Sequence, residues 1–194
     1  KNLFISHRKY EEGIKFYKER LENKINDHKD YADLGEFYYL NGQNSEANKT
    51  WEIGMKKFTD NRTYYRSMFA VYSKYGLNKG VNLLLEIGRK RFGASFLTYE
   101  SGAYYQAIKA YDLAMDQFVL NLVHNSRQIG IIERRILVMS DDENALPIIE
   151  KKLVHASRNY PTKTLDILSQ FYFKQQKYEE SYLKKIELNN YIIF

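Results

Sequence analysis

Four histidines, one tight run of acids and a large store of tyrosine and lysine are the residues of this chain with chemistry to offer. His7, His28, His124 and His155 are scattered, without the close spacing that brings two ligands to one metal ion. They read as structural or solvent-facing groups, since histidine acts chiefly where neighbours tune it. Asp141, Asp142 and Glu143 form the acidic run. A calcium loop spreads oxygen ligands over about a dozen residues around a glycine turn, and neither feature is present. The expectation is an acidic turn at Asp141-Asp142 before the next helix, with the run serving that helix's start, where carboxylates meet the positive end of the helix dipole. No Gly-rich phosphate loop, His-Glu-x-x-His or Gly-x-Ser-x-Gly occurs. Cysteine is absent, which removes disulfides, thiolate metal sites and a cysteine nucleophile. Asn48-Lys49-Thr50 and Asn61-Arg62-Thr63 match the glycosylation sequon, a pattern common by accident, and Asn48 falls within a predicted helix. The chain is expected to be non-enzymatic, with no cofactor and no metal.

Tyrosine and lysine raise a different possibility. With 18 Tyr, 11 Phe, a net charge of +6 and a pI near 9.2, aromatic platforms between basic groups would suit single-stranded nucleic acid. Lysines and glutamates alternate along most segments, however, and no block of five like charges appears. That pattern describes a solvated outer face, so nucleic acid is not the expected partner. Tyr31, Tyr38, Tyr65, Tyr72, Tyr105 and Tyr172 instead recur at regular intervals, as core positions do.

The interval belongs to the elements that must position these side chains. Gly13 with Tyr17, Ala47 with Trp51 and Val81 with Leu85 follow one another at steps of 34 residues, and Ala114 with Phe118 comes 33 later. A period near 34 marks a helix-turn-helix array in which stacked units build one continuous core. From the unit 28–61 to the unit 62–95, Tyr31 maps to Tyr65, Leu34 to Met68, Tyr38 to Tyr72, Gly42 to Gly76, Asn44 to Asn78, Trp51 to Leu85, Gly54 to Gly88 and Phe58 to Phe92. Tyr31, Leu34, Gly35 and Tyr38 share one face of a first helix. Gly42 should end it in the left-handed conformation, and Asn44 should cap the second. Ala47, Trp51, Gly54 and Phe58 form the facing stripe.

Leu34-Gly35, Tyr38, Gly42, Ala47, Trp51 and Phe58 resemble the tetratricopeptide repeat. The resemblance implies an all-α fold, a right-handed superhelix of about six helix pairs, in units near 1–27 (partial), 28–61, 62–95, 96–127, 128–161 and 162–194. Phe69 stands where that family prefers Gly or Ala, which bears on the helix-helix distance there. Tyr10 to Lys24 reads as a second helix and Lys1 to His7 as the rest of a first. Thr98 to Ala110 and Tyr111 to Asn125 form another pair around Gly102 and Tyr105. Gln128 to Met139 carries Ile129, Ile132, Ile136 and Leu137 at helical spacing. Pro147 belongs in the first turn of the next helix, and Ile148 sits 34 after Ala114. Asn159-Tyr160-Pro161 resembles an inter-repeat turn. Thr162 to Gln175 and Tyr178 to Asn190 are the last pair, with Leu165, Leu168, Tyr172 and Ser181 in the core slots. The apolar stretch Tyr191 to Phe194 makes a poor cap for an array, which suggests that it continues or docks. The start at Lys1, without Met, fits a trimmed export signal or further repeats upstream.

In this family the first helices line a concave groove. Carried onto this chain, the residues turned away from the core are Glu36, Tyr39, Arg66, Ser73, Lys74, Tyr99, Gln106, Glu133, Asp166, Gln170, Phe173 and Lys174. Aromatics with both charge signs suit a peptide or partner protein held in the groove. Some members clamp a chaperone's terminal carboxylate with Lys and Asn. Here Ala32 and Glu36 occupy such places, and Glu36 would repel that ligand. Phe-Thr-Asp-Asn-Arg at 58–62 and Arg-Arg-Ile-Leu at 134–137 resemble bacterial envelope-associated members, which implies an extracytoplasmic protein, in periplasm or cell envelope. The competing classes are a helical-repeat RNA-binding protein and a helical accessory domain of a larger enzyme. No run of about 18 apolar residues is present to span a membrane.

Overall fold

A computed structural model of the protein describes residues 1–23 and 27–192 and is 81% helix, with no strand among the described residues. Among the described residues twelve α-helices follow one another: α1 Asn2–Ser6, α2 Tyr10–Glu22, α3 His28–Leu40, α4 Asn44–Lys57, α5 Arg62–Lys74, α6 Asn78–Phe92, α7 Thr98–Ala107, α8 Tyr111–His124, α9 Ile129–Met139, α10 Leu146–Asn159, α11 Pro161–Lys174 and α12 Tyr178–Ile192. Their contacts fall into two compact units, Lys1–Phe96 and Leu97–Phe194. Lys24 at the expected end of α2, and residues 193 and 194 of the expected apolar end, lie outside the described residues.

The junctions between helices carry the period in their backbone. At the end of α3 the Gly42 N–H reaches the Tyr39 carbonyl at 3.0 Å, and the Gln43 N–H reaches the Tyr38 carbonyl at 2.8 Å. Gly42 makes the reversal at φ +76, a conformation open to glycine because no Cβ obstructs it. These two bonds satisfy carbonyls that a helix end leaves without partners. The same pair forms at Arg8 and Lys9, Gly76 and Leu77, Lys109 and Ala110, and Gln176 and Lys177. In each case the bond that spans five residues ends on an aromatic residue: Phe4, Tyr38, Tyr72, Tyr105 or Tyr172.

This device displaces the expected caps by one position. Gln43 and Leu77, each just past the left-handed residue, hold φ near −80 and ψ of 64 and 65 and stand at the N-cap position without a side-chain bond. Asn44 and Asn78 are therefore the first residues of α4 and α6, not their caps. At the link from α4 to α5 a side chain does cap: the Asn61 carboxamide accepts from the backbone of Thr63 at 2.9 Å and Tyr64 at 3.0 Å. That is the structural use of the Asn61 sequon residue.

Side-chain size at two matched slots governs how closely each pair packs. Gly35 lies under Trp51 in α3–α4, Gly102 lies against Phe118 in α7–α8, and Ser169 meets Ser181 in α11–α12. These three pairs make the most extensive contacts between helices of one hairpin. Trp51 fills the space over Gly35, where a Cβ would lie 2.1 Å from the indole nitrogen. The indole N–H donates to the Ala32 carbonyl at 3.2 Å. In α5–α6 the slots hold Phe69 and Val81, and the contact is less extensive, as the bulkier Phe69 predicts.

The pair α9–α10 departs furthest. Ile136 and Ile149, both fully buried, occupy the slots, and Ile149 rather than Ile148 points inward. The link Ser140 to Ala145 has no left-handed residue and runs longer than the other turns, which shifts the register by one. Consequently α10 packs chiefly on α8 and α11, and α9 on α7, α8 and α11. Pro147 lies in the first turn of α10 and Pro161 opens α11, where the missing amide costs nothing.

Candidate partner-binding surface

In the first unit the expected surface residues lie on α3 and α5, and one of them proves to be buried. Glu36, expected to face outward, is 1% exposed. Lys74 reaches one carboxylate oxygen at 2.9 Å and the Tyr75 hydroxyl donates to the same atom at 2.6 Å, while Lys1 pairs with the other. The Lys1 ammonium also bonds Asp33 at 2.5 Å, and the Tyr17 hydroxyl donates to the second Asp33 oxygen at 3.0 Å. The cover is made of long side chains from the neighbouring helix pairs, which lie over Glu36 with their charged ends on it. Burial alone would push the Glu36 carboxyl up; hydrogen bonds from Lys1, Tyr75 and Lys74 outweigh it and hold the group below its usual range. Burial, then the bond to Glu36, pushes Tyr75 up to about 12.

The other predicted residues of this unit are more open. Tyr39 is half-buried, its ring 5.1 Å from Tyr75 and 6.3 Å from Trp51. Ser73 spends its hydroxyl on the Phe69 carbonyl at 2.7 Å, an internal helix bond. Arg66 is exposed, and Lys74 keeps half of its side chain in solvent while holding Glu36.

In the second unit two predicted residues converge on a third that spacing did not single out. Tyr99 and Gln106, both on α7, hold the Arg135 guanidinium of α9. Gln106 also donates its amide to the Arg135 carbonyl at 3.4 Å. The one sequence signal was the Arg-Arg-Ile-Leu run, and helical spacing from buried Ile132 and Ile136 does not say which arginine would be clasped. Glu133 is half-buried. On α11, Asp166 accepts from Gln170 at 3.0 Å and pairs with Lys185, while Lys174 pairs with Asp141 at 2.6 Å and donates to the Leu137 carbonyl. Phe173 is 63% exposed against the Tyr178 ring. It borders an open groove of about 540 Å³ with Leu137, Gln170, Tyr178 and Tyr182.

The acidic run serves a turn, not a helix start, because α10 begins only at Leu146. Asp142 accepts from the Tyr111 hydroxyl at 2.5 Å, the Lys109 ammonium at 3.0 Å, and both the backbone and side chain of Asn144 at 3.0 Å. These bonds, Tyr111 first, hold its carboxyl well below the usual range. It ties the α9–α10 link to the α7–α8 turn.

Tyr38, Tyr65, Tyr105 and Tyr172 are buried, whereas Tyr31 and Tyr72 are half-buried and pack on Phe58 and Trp51 respectively. Among the described residues no group of three His, Asp or Glu is placed to hold a metal ion, and no helix is long and apolar enough to cross a membrane. No protein-family model matches the chain, and no curated protein matches it.

Proposed function

We propose that the protein is a tetratricopeptide-type helical-repeat scaffold, its pairs wound as a right-handed superhelix, that holds a peptide or partner protein along its first helices and catalyses no reaction. Support for the architecture comes from the five left-handed turns at residues 8, 42, 76, 109 and 176, spaced by the repeat or twice the repeat. The observation that carries the function is the division of labour among side chains. Most of the periodic tyrosines are spent in the core, while Arg66, Lys74, Phe173 and Lys174 stay exposed on first helices. With half-buried Glu133 and Asp166 also on first helices, apolar groups and charges of both signs, set on rigid helices, suit a polypeptide better than a polyphosphate backbone.

The test replaces Arg66, Lys74, Phe173 and Lys174 together by alanine. Helicity should persist while partners crosslinked to the native chain in its source are lost. Unchanged crosslinks would place the partner elsewhere. A filter-binding titration with RNA at two salt concentrations should show no low-salt affinity; tight binding that weakens steeply with salt would replace the scaffold with an RNA-binding protein.

A further inference from the structure

Resting on the scaffold function, the inference concerns what kind of partner the second unit takes. Arg135 differs from Lys1, Lys74 and Lys174 in its partners. Lys1 and Lys74 are committed to Glu36, and Lys174 to Asp141. Arg135 has only neutral partners: its Nε and one Nη lie 3.3 Å from the Tyr99 hydroxyl, and the other Nη donates to Gln106 Oε1 at 3.0 Å. The Tyr99 ring lies 5.1 Å from the guanidinium carbon. Among the described residues no carboxylate lies within ion-pair distance of it. Of the five guanidinium N–H donors these contacts use three, leaving one on each terminal nitrogen to donate to a carboxylate.

Its surroundings on α9 are apolar. Ile131, four residues before, and Val138, three after, share its side of the helix and are 44% and 58% exposed. Arg134 beside them is exposed as well. A fixed guanidinium set between two open aliphatic side chains matches an acidic residue flanked by apolar ones. A phosphate backbone would leave Ile131 and Val138 without partners.

We propose that α9 is the acid-recognising element of the partner surface: Arg135, oriented by Tyr99 and Gln106, receives a Glu or Asp side-chain carboxylate of a peptide whose flanking apolar residues rest on Ile131 and Val138.

Panning a random-peptide phage library on the whole chain, followed by anisotropy titration of the enriched peptides in C-terminally amidated form, tests this. Enriched sequences should carry Glu or Asp beside Leu, Ile or Phe. Changing that Glu to Gln should weaken binding about 10-fold on the native chain and not at all on Arg135→Gln of unchanged helicity. Arg135→Lys, which lacks the guanidinium, should recover only part of the affinity. Equal losses on both proteins, enrichment without acids, a requirement for a free C-terminal carboxylate, or displacement of the peptide by poly(U) would each overturn the assignment to Arg135 while leaving a binding scaffold. Failure to enrich any peptide would overturn the scaffold function, and this inference with it.

Discussion

Lys1–Phe96 and Leu97–Phe194 use the same turn and the same matched slots, yet they differ in what fills them. The first unit makes two of its three such turns with glycine, Gly42 and Gly76, and one with Arg8, whereas the second asks Lys109 and Gln176 to adopt the left-handed conformation. Its core is aromatic, built on Trp51, Phe37, Tyr64 and Tyr65; the second is largely aliphatic, with Ile132, Ile136, Ile149, Leu165 and Leu168 around Phe118 and Phe171. The charges differ likewise. The first unit buries a carboxylate and neutralises it with two lysines, while the second holds a guanidinium with neutral groups. One backbone plan thus supports a sealed ion cluster in one place and an open anion receptor in another. Which of them results depends on side chains contributed by helices distant in sequence.

Deleting the central peg of the aromatic core should have the largest effect. Trp51→Ala removes a 2% exposed side chain from its seat over Gly35 and takes the indole donor from the Ala32 carbonyl. It should cost about 3–5 kcal/mol in urea denaturation followed by circular dichroism. A loss below about 1 kcal/mol would mean that the first unit does not depend on this contact.

The charged sites should separate next. Glu36→Ala leaves Lys74 and Tyr75 without their carboxylate and Lys1 with Asp33 alone, and should destabilise by about 2–3 kcal/mol, less than a fully buried pair because Lys74 is half exposed. Arg135→Gln should cost under about 1 kcal/mol, since its partners are neutral. Equal costs would erase the distinction between sealed and open sites. The pH response follows from the direction of the Glu36 shift. Its carboxyl is lowered in the folded protein, so its stabilisation is complete above the ordinary glutamate pKa of about 4.3 and is lost as pH falls through the lower folded value. The fluorescence of the single Trp51, followed on acidification in mild urea, should show this loss in the native chain and a flatter profile in Glu36→Gln.

Smallest are the turn exchanges. Gly42→Ala should cost about 1 kcal/mol at φ +76, whereas Gln176→Gly should gain about 0.5–1 kcal/mol by relieving the side-chain penalty. Lys109→Gly should gain less, because Lys109 also holds Asp142. If Gln176→Gly destabilises, the second unit's turns are compensated by contacts of Gln176 itself.

Helix boundaries were legible to within three residues, the end of α7 being the furthest off, because they follow from local patterns: the apolar stripes of Leu34, Tyr38, Ala47 and Trp51, and the glycine at 42. Pro147 was placed in a first turn from its missing amide alone. Asn44, Ile148 and the Asp141–Glu143 run were misplaced by small distances, and each error has a local cause. The residue after the left-handed turn takes the cap position, and the link before α10 is longer than the repeat allows. Candidate surface residues were legible only as helix positions. Glu36 faces away from its own helix pair, as its spacing demands, but is covered by Lys1 and by Lys74, contributed from 35 residues earlier and 38 later.

The sequence by itself determined the period, the helices and the places where the chain reverses, because these rest on interactions within a few residues: capping carbonyls, glycine at positive φ and stripes three and four apart. Only the tertiary structure decided which charges are spent and which stay available. That choice depends on which side chains reach across from neighbouring pairs, and helical spacing carries no information about such reach. Glu36 and Arg135 each look like a charged residue on a helix, and packing makes the first a buried anchor and the second a receptor.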